Sequence, residues 1–182
     1  MSQREETCPC TSRSPYISVE LLVFWQRQLY KMLDNKMNNI TSRVIVICDT
    51  TGGSGIGTFI AAFAHKHNDE CWSMIGLPKR DDPFARIVSV LTKLRDMPTI
   101  FINLKSVTPE CEILSSLRAI DAGMKACTYL PNKNEEFHGR NVVVFLEGTH
   151  DFTGLGDKLW SFYSISGIES CLSSISCELH SH

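Results

Sequence analysis

Three short runs of apolar, mostly β-branched residues constrain the fold more than any other feature: Arg43-Val-Ile-Val-Ile-Cys48, Thr99-Ile-Phe-Ile-Asn103 and Asn141-Val-Val-Val-Phe-Leu146. Their hydrophobicity is continuous rather than alternating, which marks strands buried on both faces, under helices on each side of a sheet. The stretches between them carry the helical period. Leu21, Leu22, Trp25, Leu29, Met32 and Leu33 recur at helical spacing, with Ser18 placed to cap. Phe84 to Leu94 is amphipathic, and Cys111 to Gly123 lines up Ile113, Leu114, Leu117 and Ile120. Cys71 to Ile75 reads as a further short strand. The alternation predicts an α/β fold of three layers around a central, mostly parallel sheet. One domain is expected over residues 18–165, after a flexible arm over 1–17 and before a Ser/Cys-rich, weakly packed tail over 166–182.

The first strong run leads into Asp49-Thr-Thr-Gly-Gly-Ser-Gly-Ile-Gly57, and Thr58 to His67 continues as a helix. Strand, glycine loop, helix is the phosphate-binding arrangement of α/β proteins. A P-loop requires G-x-x-x-x-G-K-[ST], in which backbone N–H groups surround the phosphates, Lys neutralises them and the hydroxyl holds Mg²⁺. With Gly55 as the last glycine, Asp49 falls at the first, Ile56 at the lysine and Gly57 at the hydroxyl. Both charge-handling positions are lost, and Thr58 is a poor substitute. The same glycines also resemble the fingerprint of NAD(P)-binding short-chain dehydrogenases, one residue short, and Tyr129 and Lys133 have the Y-x-x-x-K spacing. Pro131 inside that spacing would break the helix that should present both groups.

Composition narrows the remaining classes. A net charge of −2 over 182 residues argues against a strong electrostatic footprint for nucleic acid, and DNA is only weakly supported as a partner. No apolar run is long enough to span a membrane, and Met1 to Pro15 lacks a secretory pattern. An intracellular, reducing compartment is therefore expected, in the cytoplasm or a host nucleus. Cys48 and Cys127 read as buried thiols. Cys8, Cys10, Cys171, Cys177, His180 and His182 match no familiar zinc module, so no metal site is expected. His65-Lys66-His67 reads as a solvated helix end, where cations suit the dipole. Trp25, Phe59, Trp160 and Phe162 read as core.

In order along the chain, several segments resemble the superfamily 3 helicase domain of replication-associated (Rep) proteins from circular single-stranded DNA viruses of nanovirus and circovirus type. Trp25-Gln26 followed by Leu29 is similar to that domain's W-Q-x-x-L lead-in, and Gly52 to Phe59 (GGSGIGTF) lies where the family has GNEGKSTF. Asp96 to Lys105 resembles its Walker B region. Ala122 to Lys125 and Tyr129-Leu-Pro131 resemble the segment before its third strand. Val142 to Glu147 resembles motif C, and Leu155 to Ile165 the S-x-D-R-W segment. The resemblance implies a P-loop NTPase-like domain for DNA replication, using ATP and Mg²⁺ if active. It makes Gly52, Gly53, Ser54, Gly55, Ile56, Gly57 and Thr58 a vestigial nucleotide loop.

The departures fall on the chemistry. The Walker B acid falls on Ile102 or Asn103, Lys105 keeps the basic residue that follows, and motif C ends in Glu147 instead of asparagine. The interface arginine becomes Leu159. Phosphoryl transfer rests almost wholly on positioning and charge stabilisation. The reading is thus a pseudoenzyme: a helicase-like domain without ATP turnover, no catalytic residues and no cofactor, kept as a binding or oligomerisation module or a decaying copy. Its partners would be further copies of itself or a Rep-type subunit. The enzyme alternative is an active superfamily 3 helicase drawing its charges from other positions. The helicase frame would put the Ile100 strand beside the Val44 strand, with Ile102, Asn103 and Glu147 near the loop. A dehydrogenase would bring Tyr129 and Lys133 to the C-terminal ends of the strands.

Overall fold

The structure, a computed structural model, describes residues 18–34, 43–67, 69–75, 83–94, 97–105, 108–129, 139–153, 155, 159–166 and 171–175. The three strong runs form strands β1 (Arg43–Asp49), β3 (Thr99–Asn103) and β4 (Asn141–Glu147), and β2 is Cys71–Ile75. Two more strands, β5 (Trp160–Ser166) and β6 (Cys171–Ser174), complete a sheet of order β2-β3-β4-β1-β5-β6. All neighbours run parallel except the β5–β6 pair. The α/β, mostly parallel architecture thus matches the expectation. The helices are α1 (Phe24–Asp34), α2 (Ile56–Lys66), α3 (Pro83–Lys93) and α4 (Glu110–Tyr129).

Successive strand residues point to opposite faces, and that period divides the core. Val44, Val46, Cys48, Ile100, Ile102, Val142, Val144 and Leu146 face a cluster with Ile87 and Leu91 of α3 and Ile113, Leu117 and Ile120 of α4. Ile45, Ile47, Phe101, Val143 and Phe145 face Trp25, Leu29 and Leu33 of α1 and Phe59 and Phe63 of α2. The second face is aromatic: Phe101 packs edge-on to Phe63 and Phe59 at 5.3 and 5.9 Å, and Trp25 tilts against Phe59 at 5.6 Å. Two arginines tie the helix ends to the edge of the sheet away from the loop. Arg140 Nη1 donates to Leu91 O at 2.8 Å, and Arg43 Nη2 donates to Met32 O at 3.0 Å, each meeting carbonyls near a helix C-terminus.

Four expectations are corrected. The Ile100 strand does not lie beside the Val44 strand; β4 runs between them. All three runs are apolar on both faces, so hydrophobic pattern alone cannot rank their neighbours. The α-helix does not start at Ser18: Ser18 Oγ accepts the Glu20 N–H at 3.4 Å at the head of a 3₁₀ turn over Val19–Leu21, and α1 begins at Phe24. Gln26 Oε1 accepts the Val23 N–H at 3.1 Å and so closes the helix start. Leu114 is exposed rather than part of the α4 stripe, which is completed by Ala119 and Met124. The segment after residue 165 is not a weakly packed tail throughout, because Cys171–Ser174 pairs with β5 and Leu172 N–H donates to Gln28 Oε1 at 3.0 Å. Cys48 is buried as expected, whereas the Cys127 side chain, residues 1–17 and the terminal cysteines and histidines other than Cys171 lie outside the described residues. Among the described residues no helix is long and apolar enough to cross a membrane.

Helices α3 and α4 meet at Gly123, where a Cβ would come within 2.7 Å of Leu91 Cδ1 and 3.4 Å of the Val88 backbone. Removing a mid-helix glycine gains about 1 kcal/mol, whereas overpacking costs about 1–3 kcal/mol. Gly123→Val, with three added carbons and a β-branch, is expected to destabilise the chain by about 2 kcal/mol in denaturant unfolding.

Candidate functional site

The loop between β1 and α2 sits at the C-terminal ends of the parallel strands, where open α/β sheets bind their ligands. Asp49, the last residue of β1, turns its carboxylate into this loop and is 1% exposed. Oδ1 accepts from Thr51 N–H at 2.9 Å, Thr51 Oγ1 at 2.7 Å and Gly52 N–H at 3.2 Å. Oδ2 accepts from Ser54 N–H at 3.4 Å, Ser54 Oγ at 2.5 Å and Lys105 Nζ at 2.5 Å. Backbone N–H groups of a glycine loop and one lysine thus converge on an anion, but the anion belongs to the chain itself.

Burial raises the pKa of Asp49, yet the hydrogen bonds from Lys105, Ser54 and Thr51 outweigh it and hold the carboxyl well below the usual carboxylate range. The Lys105 side chain is 16% exposed and that of Asp49 fully buried, so this is a largely desolvated ion pair. Removing one partner of such a pair is costly because the other charge stays behind.

The loop is also held from outside. Trp25 Nε1 donates to Ser54 O at 3.1 Å, and Gln26 Nε2 donates to Gly55 O at 2.9 Å. Gly55 caps α2 in the left-handed region at φ 75°, and a Cβ there would lie 3.1 Å from Gln26 Nε2. The lead-in Trp-Gln pair and the glycine are therefore parts of one clamp.

The candidate residues separate into two groups. Lys105 reaches the loop through its ammonium, and Asn103 acts on it only indirectly: Asn103 Oδ1 accepts Lys105 N–H at 3.1 Å and so steadies the turn that delivers the ammonium. Glu147 pairs with Asp49 in the β1–β4 register, and Gly148 N–H donates to Asp49 O at 2.9 Å. Ile102 is buried in the apolar cluster beneath α3 and α4, away from the loop. Ile56 is 4% exposed and packs in the aromatic-face cluster, so the lysine position of the motif has become a core position. Gly52, Gly53, Gly57 and Thr58 are exposed, and Ser54 is buried with its hydroxyl on Asp49.

Tyr129 ends α4, whose other end lies by the loop side of the sheet; twenty helical residues carry it about 30 Å away. Tyr129 is therefore not at the C-terminal strand ends, which counts against the dehydrogenase reading; Lys133 lies outside the described residues. Asp49 is the residue that motif matching missed, whereas the Trp-Gln lead-in match already pointed to Gln26. The signal for Asp49 was its place at the first glycine of the P-loop alignment, where any side chain must enter the loop.

The residues present do not fit ATP and Mg²⁺. A phosphate in the loop would meet the Asp49 carboxylate, Lys105 is already committed, and Gly57 offers no hydroxyl. Among the described residues no group of three or more His, Cys, Asp or Glu is arranged to hold a metal ion.

Because the folded-state pKa of Asp49 is depressed, its stabilising contribution is complete above the unfolded value of about 3.9 and is lost as the pH falls below it. Asp49→Asn is expected to cost about 3 kcal/mol at pH 7 and to flatten the decline of Tm between about pH 4 and 2. Thermal unfolding across that range checks both.

A scan against protein-family models and a search of curated proteins both find no match to this chain.

Proposed function

We propose that this chain is a divergent Rep-type superfamily 3 helicase-like domain that does not turn over ATP and acts as an intracellular binding or oligomerisation module. One observation carries the proposal: the Asp49 carboxylate and Lys105 ammonium fill the glycine loop from within. Several features support the ancestry. The segment resembling Walker B ends beside the loop through Lys105, the segment resembling motif C ends beside it through Gly148, and the Trp-Gln lead-in grips Ser54 and Gly55. Loss of turnover follows from electrostatics. A triphosphate would have to displace a buried carboxylate from six donors, Lys105 among them, and would find no hydroxyl at Gly57 for Mg²⁺. The active-helicase alternative would need Lys105 to serve phosphate, and Lys105 is bound to Asp49. The frame that remains is a rigid sheet with a fixed loop, suited to holding a partner such as a second copy or a Rep-type subunit.

Replacing the internal anion with an external one tests this directly. Asp49→Gly leaves the loop N–H groups and Lys105 facing a vacated position, so inorganic phosphate should raise the Tm of the variant by several degrees and leave the wild type unmoved. Equal shifts in the two proteins, or Mg²⁺-dependent ATP turnover by the wild type, would overturn the proposal.

A further inference from the structure

At the head of α1 lies a cluster of exposed apolar side chains. Leu21 is 75% exposed, Val23 48% and Phe24 45%, so three of the five large exposed hydrophobic residues among those described fall within four positions. Apolar residues scattered singly over a surface are ordinary, whereas a cluster rimmed by polar groups marks a contact. We infer that this segment is a self-complementary interface through which two copies of the chain pair about a two-fold axis. The inference rests on the preceding reading and chooses among the partners named there: a second copy of this chain.

The exposure is imposed by the fold. Leu22, Trp25, Gln26 and Leu29 are buried, and Trp25 and Gln26 also hold Ser54 O and Gly55 O of the loop. Arg27 N–H donates to Val23 O at 3.0 Å in the first turn of the helix, and Leu21 N–H donates to Ser18 O at 2.9 Å in the 3₁₀ turn before it. With Leu22 and Trp25 turned inward, Leu21, Val23 and Phe24 are left facing out. The side chains that clamp the loop therefore also hold the apolar cluster in place.

Charge decides what covers it. Glu20 lies on one side of the cluster and Arg27 on the other, and both are exposed. Neither side chain has a hydrogen-bond or ion-pair partner among the described residues. A two-fold axis passing between Val23 and Phe24 runs two such segments antiparallel and sets Glu20 of each copy opposite Arg27 of the other. Val23 then meets Phe24 of the other copy, and Leu21 flanks the contact at both ends. An isologous interface repeats every pairing, so one acid and one base provide two ion pairs. A partner of uniform charge would leave one of the two residues facing a like charge. At a net charge of −2 the whole chain opposes pairing with its own kind only weakly.

A cluster of this extent makes a weak dimer, in which the apolar centre supplies affinity and the charged rim sets register. Sedimentation equilibrium of the full chain from about 5 to 500 µM tests the inference, with a monomer–dimer Kd of about 10–100 µM expected. Leu21→Ser and Phe24→Ser should each raise that Kd about tenfold or more, while Leu114→Ser, at an exposed apolar position on α4, should leave it unchanged. Arg27→Glu sets like charges together at both rim contacts and should raise the Kd about tenfold. Adding Glu20→Arg reverses both signs and should return the Kd to within about threefold of the wild type. All of these positions are exposed, so Tm should move by less than about 2 °C, which separates lost pairing from lost fold. A chain that stays monomeric at about 500 µM, a dimer indifferent to Leu21→Ser and Phe24→Ser, or one that Glu20→Arg fails to restore would overturn the inference. Mg²⁺-dependent ATP turnover by a chain that dimerises as expected would overturn the preceding reading alone.

Discussion

The Asp49–Lys105 pair organises the loop end of the sheet. It joins the C-terminal end of β1 to the turn after β3, two strands away across β4, and gathers the loop N–H groups onto one carboxylate. A charge taken out of water survives only where donors replace its hydration, and Asp49 has three on each oxygen. The loop conformation and the carboxylate are thus mutually dependent. Gly52 and Gly55 adopt positive φ, the turn brings its donors inward, and the anion they surround is supplied by Asp49, two residues before the first of those donors.

Rigidity comes from both sides of the sheet. On one side Trp25 is fully buried between Phe59 and Phe145 while its indole N–H holds Ser54, so aromatic packing and loop geometry are coupled through a single side chain. Gln26 serves the start of α1 with its oxygen and the loop with its nitrogen. On the other side α3 and α4 pack around Gly123 against the opposite faces of the same strands. The packing on both faces thus bears on the strands that carry the loop.

Much of the architecture was legible in the sequence because it rests on hydrophobic period. Val44 to Cys48, Ile100 to Ile102 and Val142 to Leu146 announce doubly covered strands, and the glycine run after β1 announces the loop. Strand order was not legible, since pairing among three equally apolar runs depends on how the helices connecting them pack. β5 escaped notice because Trp160-Ser-Phe-Tyr-Ser-Ile165 alternates with serines, and β6 because Cys171-Leu-Ser-Ser174 carries one strongly apolar residue. At the site, Lys105 was visible as a basic residue after a strand, but its partner was not. Asp49 reads as a motif failure until its carboxylate is seen gathering the loop's own donors and Lys105.

Carbon-detected NMR titration of the Asp49 carboxyl group probes that occupancy at the atom concerned. With three donors on each oxygen, the resonance should show no protonation step between about pH 5 and 3, and Lys105→Met should move the step up toward the ordinary range. A step near pH 4 in the wild type, unchanged by Lys105→Met, would mean that the carboxylate is solvated and the loop is not filled from within.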